Sequence, residues 1–402
     1  MDDATALLIT VTGHDRPGLT SRLCAVLADK AARILDMEQV VIRDRLILGI
    51  LVSLGDDDTG TRDAISAEAE RLGVAVDFEP MAPRRNSADL PKHHVTVLGQ
   101  PLPPQAMAAI TRQISDCGGN IDRITRLSRY PILSFELLVS GCQTEGLKQR
   151  LAEEAARQHI DVAIQRASLF RRAKRLICMD VDSTLVQGEV IEMLAAHAGC
   201  EDQVAQITER AMRGELDFEQ SLRERVKLLT GLPLTAVDEV RDTIQLMPGA
   251  RTLVRTLKRL GFSIAIVSGG FTQVTDHLQA DLGLDYAMAN TLEVVDGVLT
   301  GDLTGPIVDR AGKAMALERF ATAAGVPLSQ TVAVGDGAND LDMLARAGLG
   351  IAFNAKPVVR EAADTAVTVP YLDAILFLLG ITREEIEAAD AEDPTYRESS
   401  GV

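Results

Sequence analysis

Apolar and polar residues along this chain follow two rhythms. Alternation by two marks strands, and a spacing of three to four marks helices. Near the start, "ALLITVT" reads as a strand, and "GLTSRLCAVLADKA" sets Leu19, Leu23, Val26 and Leu27 on one helical face. "ILDMEQVVI" and "LILGILVSL" read as strands around "RDR", a predicted hairpin turn. "TRDAISAEAERLG" predicts a helix ending at Gly73, and "VAVDFEP" a closing strand. The resulting order is β-α-β-β-α-β, a ferredoxin-like layout.

This unit occurs twice. "HHVTVLGQ" (93–100) echoes "LLITVTGH" (7–14), with Gly99 lying 86 residues after Gly13. At that offset Asp122 falls on Asp36, Gly141 on Gly55 and Arg157 on Arg71. "ILSFELLVSG" (132–141) falls on "LILGILVSLG" (46–55) without a gap. Such self-similarity predicts two copies of one fold. The expected boundaries are 1–80 for the first copy, a Pro-rich polar linker at 81–91, and 92–168 for the second.

Beyond about residue 170 the rhythm changes. "RLICMDVDST", "GFSIAIVSGG" and "TVAVGDGAND" each read as a buried strand running into a polar or Gly-rich turn. "LVRTLKRLG" and "GKAMALERFATAAG" read as helices between them. This alternation predicts an α/β domain over 172–380, with a parallel sheet covered on both faces. A helix-rich insert occupies 188–246, and residues 381–402 read as an acidic tail with a frayed end.

Composition narrows the function classes. An apolar content of 46% over 402 residues supports several folded domains. Basic residues number 41 against 58 acidic ones, a net charge of −17, which argues against nucleic acid as a partner. Cys24, Cys117, Cys142, Cys178 and Cys200 form no C-x-x-C pair, so buried free thiols are expected rather than a disulfide framework or a zinc site. "MDDATALLIT" lacks a basic, signal-like start, and no run reaches the roughly 18 uninterrupted apolar residues of a membrane span. A soluble, cytoplasmic protein with no membrane partner is expected.

In open parallel sheets, ligands bind beyond the carboxyl ends of the strands. Three predicted strand ends carry chemistry here: Asp180, Asp182 and Thr184; Ser268 and Gly269; Asp336, Asn339 and Asp340. Lys313 opens a predicted helix between the last two. Taken singly, these are turn and cap residues and a solvated lysine. Carboxylates at the end of a buried strand are costly to desolvate, and sharing a divalent cation offsets that cost.

"DVDST", Ser268 in "IVSGG", Lys313 and "GDGAND", in that order, resemble the haloacid dehalogenase (HAD) superfamily of phosphotransferases over about residues 174–380. The resemblance implies a Rossmann-like parallel sheet with the insert as a helical cap. It implies Asp180 as a nucleophile forming an aspartyl-phosphate. One Mg²⁺ per site would be held by Asp180, Asp336 and the backbone carbonyl of Asp182, and Mn²⁺ accepts similar ligands. The Asp182 side chain would act as general acid and then general base. Ser268 and the Gly269 amide would bond phosphate oxygens, and Lys313 would place positive charge beside the phosphoryl group. Asn339 would position phosphate, and Asp340 would orient Lys313 or metal-bound water.

The insert carries a further set. Glu189 lies nine residues after Asp180, and Arg225 lies in "DFEQSLRERVKLL", whose apolar stripe is Phe218, Leu222, Val226 and Leu229. Alone, Arg225 is a solvated helix residue and Glu189 a first-turn carboxylate. Together they could read a zwitterion, Glu189 meeting an ammonium and Arg225 a carboxylate, with Met212 and Phe218 as an apolar lid. This set resembles the cap of phosphoserine phosphatases. It implies hydrolysis of O-phospho-L-serine to L-serine, the last step of L-serine biosynthesis. Another small phosphoester, phosphoserine in proteins, or a sensing role with a vestigial catalytic domain remain alternatives.

In "GHDRPGLTSRL" (13–23), Pro17 and Gly18 open a helix just after a strand and expose amides suited to a carboxylate. The plainer reading is a helix start with Asp15 near its cap. The segment resembles the ACT domain, a βαββαβ regulatory module that binds amino acids at dimer interfaces. That implies Gly13, Asp15, Arg16, Pro17 and Gly18 as a regulatory site, L-serine as feedback effector, and a homodimer. The second copy reads "GQPLPPQAMAAI" (99–110) and lacks Asp-Arg-Pro-Gly, so it is a weaker ligand candidate, expected to serve mainly in pairing. A purely structural role for both copies is the alternative.

Overall fold

A computed structural model describes residues 6–54, 58–81, 91–168, 171 and 173–393. The chain divides into two compact units, Met1–Asp89 and Leu90–Val402. The first contains β1 (Ala6–His14), α1 (Leu19–Asp29), β2 (Arg33–Ile42), β3 (Arg45–Ser53), α2 (Asp58–Leu72) and β4 (Ala75–Met81). Its antiparallel sheet has the order β2-β3-β1-β4. Alternation puts Leu7, Ile9 and Val11 of β1 and Leu46, Leu48, Ile50 and Val52 of β3 on one face, buried in one core with Leu19, Leu23 and Leu27 of α1. Each such burial contributes about 1.5–3 kcal/mol. Arg43 turns the β2–β3 hairpin at φ 59. Pro80 and Met81 complete β4, so the expected linker begins later than 81; residues 82–90 lie outside the described residues.

The second unit opens with the second copy: β5 (Lys92–Gly99), α3 (Pro104–Asp116), β6 (Asn120–Ser128), β7 (Leu133–Ser140), α4 (Thr144–Gln158) and β8 (Asp161–Arg166), with sheet order β6-β7-β5-β8. Strand register corrects the repeat alignment. Gly13 pairs with Leu46, whereas Gly99 pairs with Leu133, so the third strands are offset by 87 residues and not 86. The buried helix stripe Leu19, Leu23, Leu27 becomes Ala106, Ile110, Ile114, also 87 on. The extra residue therefore sits between Gly99 and Ala106, in the loop that lacks Asp-Arg-Pro-Gly. By the fourth strands the offset is 86 again, Leu8 opposing Glu79 as His94 opposes Gln165. Asp122 consequently sits at a bulge matching Leu35 and not Asp36. Gly141 matches Leu54, while Gly55 lies outside the described residues. An insertion and a deletion that cancel leave the two ends of the repeat at one offset.

The two sheets differ on the face away from their helices. In the first copy Thr12, Ala75, Asp77 and Glu79 are exposed there. In the second, Thr96, Leu98, Asp161 and Ala163 are buried, and Leu98 and Ala163 join the core of the domain that follows. The second copy, expected to serve mainly in pairing, is docked within its own chain through this face.

The following domain contains β9 (Leu176–Met179), α5 (Val190–Ala198), α6 (Glu201–Met212), α7 (Phe218–Lys227), α8 (Leu234–Thr243), α9 (Ala250–Arg259), β10 (Ser263–Phe271) and α10 (Thr272–Leu282). It continues with β11 (Tyr286–Val295), β12 (Val298–Thr304), α11 (Arg310–Ala323), β13 (Thr331–Gly335), α12 (Leu341–Arg346) and β14 (Gly350–Phe353). α13 (Pro357–Ala362), β15 (Thr365–Val367), α14 (Ile375–Leu378) and α15 (Arg383–Glu392) complete it. The sheet order is β12-β11-β10-β9-β13-β14-β15. Its pairs are parallel except β11–β12, a hairpin turned by Asp296 and Gly297 at φ 52 and 77. That Asp-Gly turn signal is one the sequence reading passed over.

Helices α5 to α8 form the insert. Its two connections pair with each other: Val186 bridges Leu246, Gln187 N–H donates to Gln245 O (2.8 Å), and Met247 N–H to Leu185 O (2.8 Å). A second ribbon joins the insert to β12, where Gly231 N–H donates to Leu299 O (2.8 Å) and Leu299 N–H to Leu232 O (2.9 Å).

The expected acidic tail begins as packed structure. Thr382 and Glu385 form a capping box at the start of α15, Ile386 is buried, and Asp390 accepts from Arg255 at 2.7 and 2.9 Å. Residues 394–402 lie outside the described residues. The five cysteines are free; Cys142, Cys178 and Cys200 are buried, while Cys24 and Cys117 are only half-buried. Among the described residues no helix is long and apolar enough to cross a membrane.

Candidate active site

β10, β9 and β13 are neighbours in the sheet, so their carboxyl ends meet. Asp180 follows β9 and is 4% exposed. Its Oδ1 accepts from Val181 N–H (2.8 Å) and from Lys313 Nζ (2.7 Å). Its Oδ2 has no donor among the described residues, which leaves that oxygen for chemistry.

Lys313 reaches this point from the first turns of α11, whose start is capped by Asp309 accepting from Gly312 N–H (2.7 Å). The ammonium is buried between Asp180 and Asp340 Oδ1, each at 2.7 Å. Burial alone would lower its pKa, but the two carboxylates overturn this and hold it charged, above its ordinary value. Burial pushes the Asp180 carboxyl up, Asp340 adds to that, and Lys313 opposes it.

"GDGAND" has glycines for a packing reason. A Cβ on Gly335 would lie 2.4 Å from Asp340 Cγ, and one on Gly337 would lie 2.1 Å from Asn339 Oδ1. Asp340 Oδ2 accepts from Gly337 N–H (2.9 Å), fixing the carboxylate that receives Lys313. Gly335→Ala is expected to cost about 1–3 kcal/mol of stability by overpacking and to loosen Lys313. A thermal melt checks this, and an unchanged melting temperature would contradict the packing argument.

Asp182 is held from two sides. Its Oδ1 accepts from Val190 N–H (2.8 Å), the first amide of α5, and its Oδ2 from Ser268 Oγ (3.0 Å). Ser268 Oγ in turn accepts from Gly270 N–H (2.7 Å). A Cβ on Gly270 would lie 3.0 Å from Asp182 Oδ2, so this glycine lets the carboxylate approach. Asn290, which the sequence reading missed, ties the loop down by donating to Gly269 O (2.8 Å) and accepting from Val308 N–H (2.7 Å).

Asp180, Asp336 and Asp340 bring carboxylate oxygens within 4.8 Å of one another. Three carboxylates around one lysine leave excess negative charge and offer only oxygen donors, which fits a hard divalent cation. Burial first, and then Asp340, raise the Asp336 carboxyl to about 6. The Asp182 side chain stands outside this cluster.

A cavity of about 470 Å³ opens over these groups. Asp180, Asp182, Lys313, Asp336, Asn339 and Gly269 line its floor side, and Glu189, Phe218 and Arg225 line it from the insert. Ser268 and Asp340 do not line it; both are buried behind their partners. The side chain of Met212, at the end of α6, lies outside the described residues. Ile191, Leu216, Leu222, Lys356 and Val358 also line the cavity and were not foreseen as site residues. Lys356 and Val358 follow β14, one more strand end where the same rule would have found them.

Glu189 precedes α5 but does not cap it; Asp182 does so in its place. Glu189 accepts from Ser183 Oγ (3.3 Å), and burial first, then Asp182 and Asp336, push its carboxyl up to about 7. Arg225 donates through Nε to Ser221 O (3.3 Å), and burial lowers its pKa. Glu189 and Arg225 make no ion pair with each other among the described residues, so the cavity presents a carboxyl that ionises near neutral pH and, apart from it, a guanidinium.

The predicted regulatory residues lie in the first unit, between β1 and α1. Gly13 is buried, where a Cβ would meet Val74 Cγ1 at 2.5 Å; Asp15, Arg16, Pro17 and Gly18 are exposed. Gly18 starts α1 at φ 87 with no side chain capping it, so Asp15 is not the cap.

Comparison with known proteins agrees with this geometry. Residues 174–348 match the haloacid dehalogenase-like hydrolase family, and residues 5–79 and 91–165 each match an ACT domain family. The chain is 58% identical to a phosphoserine phosphatase of Streptomyces coelicolor, over 96% of this chain and 95% of the relative. It is 54% identical to one of Mycobacterium tuberculosis, over 98% and 97%. Among solved structures, a HAD family hydrolase of Salmonella enterica superposes with a TM-score of 0.65 at 31% identity, covering 72% of this chain and 98% of that one. A probable phosphoserine phosphatase of Vibrio cholerae superposes at 0.58 with 37% identity, covering 75% and 89%. Two ACT domains ahead of a HAD hydrolase domain, and relatives this similar along their whole length, place the chain in the phosphoserine phosphatase family.

Proposed function

We propose that the protein hydrolyses O-phospho-L-serine to L-serine and phosphate through an aspartyl-phosphate on Asp180, completing L-serine synthesis. The observation that carries this reading is the pairing, in one cavity, of the Asp180–Lys313 centre with the Glu189 carboxyl and the Arg225 guanidinium. A phosphate monoester needs the first, and an amino acid with free ammonium and carboxylate needs the second.

Asp180 Oδ2 attacks phosphorus while Oδ1 stays tied to Lys313 and Val181. The bond from phosphorus to the seryl oxygen breaks, and Asp182, poised by Val190 and Ser268, gives its proton to the departing alkoxide. Asp182 then takes a proton from water as that water attacks the aspartyl-phosphate, which frees phosphate and restores Asp180. Lys313 stabilises charge on the phosphoryl oxygens throughout. Asp180, Asp336 and the Asp182 carbonyl are the groups proposed to hold Mg²⁺, which supplies further charge neutralisation at phosphate. Asn339 positions phosphate, and Phe218 with its apolar neighbours closes the cavity against water.

Phosphate release from L-phosphoserine, L-phosphothreonine and p-nitrophenyl phosphate, each with Mg²⁺, tests the reading. A preference for L-phosphoserine of at least about a hundredfold in kcat/KM is expected, equal to about 2.7 kcal/mol of discrimination. Equal turnover of all three would leave a general phosphatase, and no turnover would favour a sensing role. L-Serine inhibition through Gly13–Gly18 in a cytoplasmic homodimer completes the proposal, and serine titration of a Gly18→Val variant examines it.

A further inference from the structure

The second copy holds a buried carboxylate that the first lacks. Asp161 opens β8 opposite Leu98, and the matching position opposite Thr12 is Ala75. The repeat therefore folds without an acid here. Asp161 is 5% exposed, and the hydrogen bonds of its carboxylate among the described residues cross to the catalytic domain. Oδ2 accepts from the N–H groups of Thr368 (2.6 Å) and Val369 (3.3 Å), and Oδ1 accepts from Thr368 Oγ1 (2.9 Å).

These partners lead to the active site in two short steps. Thr368 directly follows β15, whose last residue, Val367, accepts from Asn354 N–H (2.8 Å). Asn354, at φ 47, turns the chain into the segment whose Lys356, Val358 and Val359 line the catalytic cavity. On its other side α13 faces open space: Pro357, Arg360 and Glu361 line a second cavity of about 460 Å³, closed by α4 and β8 of the second copy. Lys148 and Asp364 pair across it at 3.6 Å, but both are about half exposed, a geometry that contributes little. With space behind the helix, its place depends on Val359 and Ala363, buried in the domain core, and on how the strand end beside it is held.

We propose that Asp161 is a positioning residue for catalysis, a latch through which the second ACT domain fixes the Lys356–Val359 wall of the active site. The inference rests on the proposed phosphatase reading for its kinetic consequence, but not for its structural one. Burial raises the Asp161 carboxyl against the pull of its three donors and of Arg360 on α13, so on balance the charge is a cost. The latch needs acceptors more than charge. An asparagine can direct its carbonyl oxygen to both backbone amides and its NH₂ to Thr368 Oγ1, keeping all three contacts.

The test compares Asp161→Asn, Asp161→Ala and Asp161→Glu in the full-length protein. Asp161→Asn is expected to keep KM for L-phosphoserine within about twofold of the parent. Asp161→Ala is expected to raise KM about five- to twentyfold with kcat changed less than threefold. Asp161→Glu adds a methylene that displaces Thr368, so its KM rises too and stands in if the alanine variant does not fold. Amide exchange provides the second reading: the Asn354 and Thr368 amides lose at least about tenfold protection in the alanine or glutamate variant and keep it in the asparagine variant. Unchanged KM and unchanged protection at Asn354 in a folded alanine or glutamate variant overturn the latch. Should the parent not turn over L-phosphoserine, the substrate reading falls, and protection at Asn354 still decides the latch.

Discussion

Asp180→Asn is expected to lose L-phosphoserine turnover by at least about four orders of magnitude, a barrier rise of about 5–6 kcal/mol, while its melting temperature stays level or rises. The amide has the same shape, so Oδ1 can still accept from Val181 N–H and Lys313. It cannot attack phosphorus, because an amide nitrogen has no available lone pair and the remaining oxygen is tied down. Stability should hold because burial first, and then the like charges of Asp340 and Asp182, push the Asp180 carboxyl up. Removing the charge relieves that repulsion, although Lys313 keeps only Asp340 as a charged partner. Acid quenching during turnover should find phosphate on the parent protein and none on the variant. Activity within about a hundredfold of the parent would remove Asp180 as the nucleophile, and a melting temperature several degrees lower would mean that its charge stabilises the fold.

Glu189→Gln and Arg225→Ala should each lower kcat/KM for L-phosphoserine by about a hundred- to a thousandfold and for p-nitrophenyl phosphate by less than about threefold. The aryl ester has neither ammonium nor carboxylate, so it does not sense the missing charge. Glu189 adds a pH signature. Its carboxyl titrates at about 7 in the free site, with burial as the main cause, followed by Asp182 and Asp336. A bound ammonium favours the ionised form and draws that value down. Binding is therefore strongest above pH 7 and weakens as pH falls through 7, so KM for L-phosphoserine should climb by up to about tenfold per pH unit. Glu189→Gln should flatten this rise, and the same scan with p-nitrophenyl phosphate shows how much comes from phosphate ionisation alone. A rise of equal slope in parent and variant would remove Glu189 from substrate binding.

Much of the site was legible because a parallel sheet gathers its strand ends. Asp180 and Asp336, 156 residues apart, could be picked on that rule, whereas Lys313, which lies on a helix and not at a strand end, was picked out by the order of the HAD motifs. The pairing of Asp182 with the first amide of α5 was not legible, since Glu189 occupies the position next to the helix where a cap is normally sought. The docked face of the second copy was hidden for a related reason. Thr96, Ser134 and Asp161 look like solvent-facing residues in an alternating strand, yet all three are buried. The repeat offset misled because an added residue before α3 is cancelled by a lost one before α4. In the tail, acidic residues dominate the composition, while the packing is done by Ile386 and by Asp390 against Arg255 and Arg259.

The insert over the active site is fastened along two ribbons, one at Val186 and Leu246 and the other at Leu232 and Leu299. A body fixed along one line keeps a free rotation, like a door. Fixed along two separate lines, it loses that rotation and retains only flexure of the span between them. That span is α5 to α7, and its turn at Gly214, φ 78, lies between α6 and α7. Motion of the insert is thereby confined to bending of one arch of three helices above the cavity.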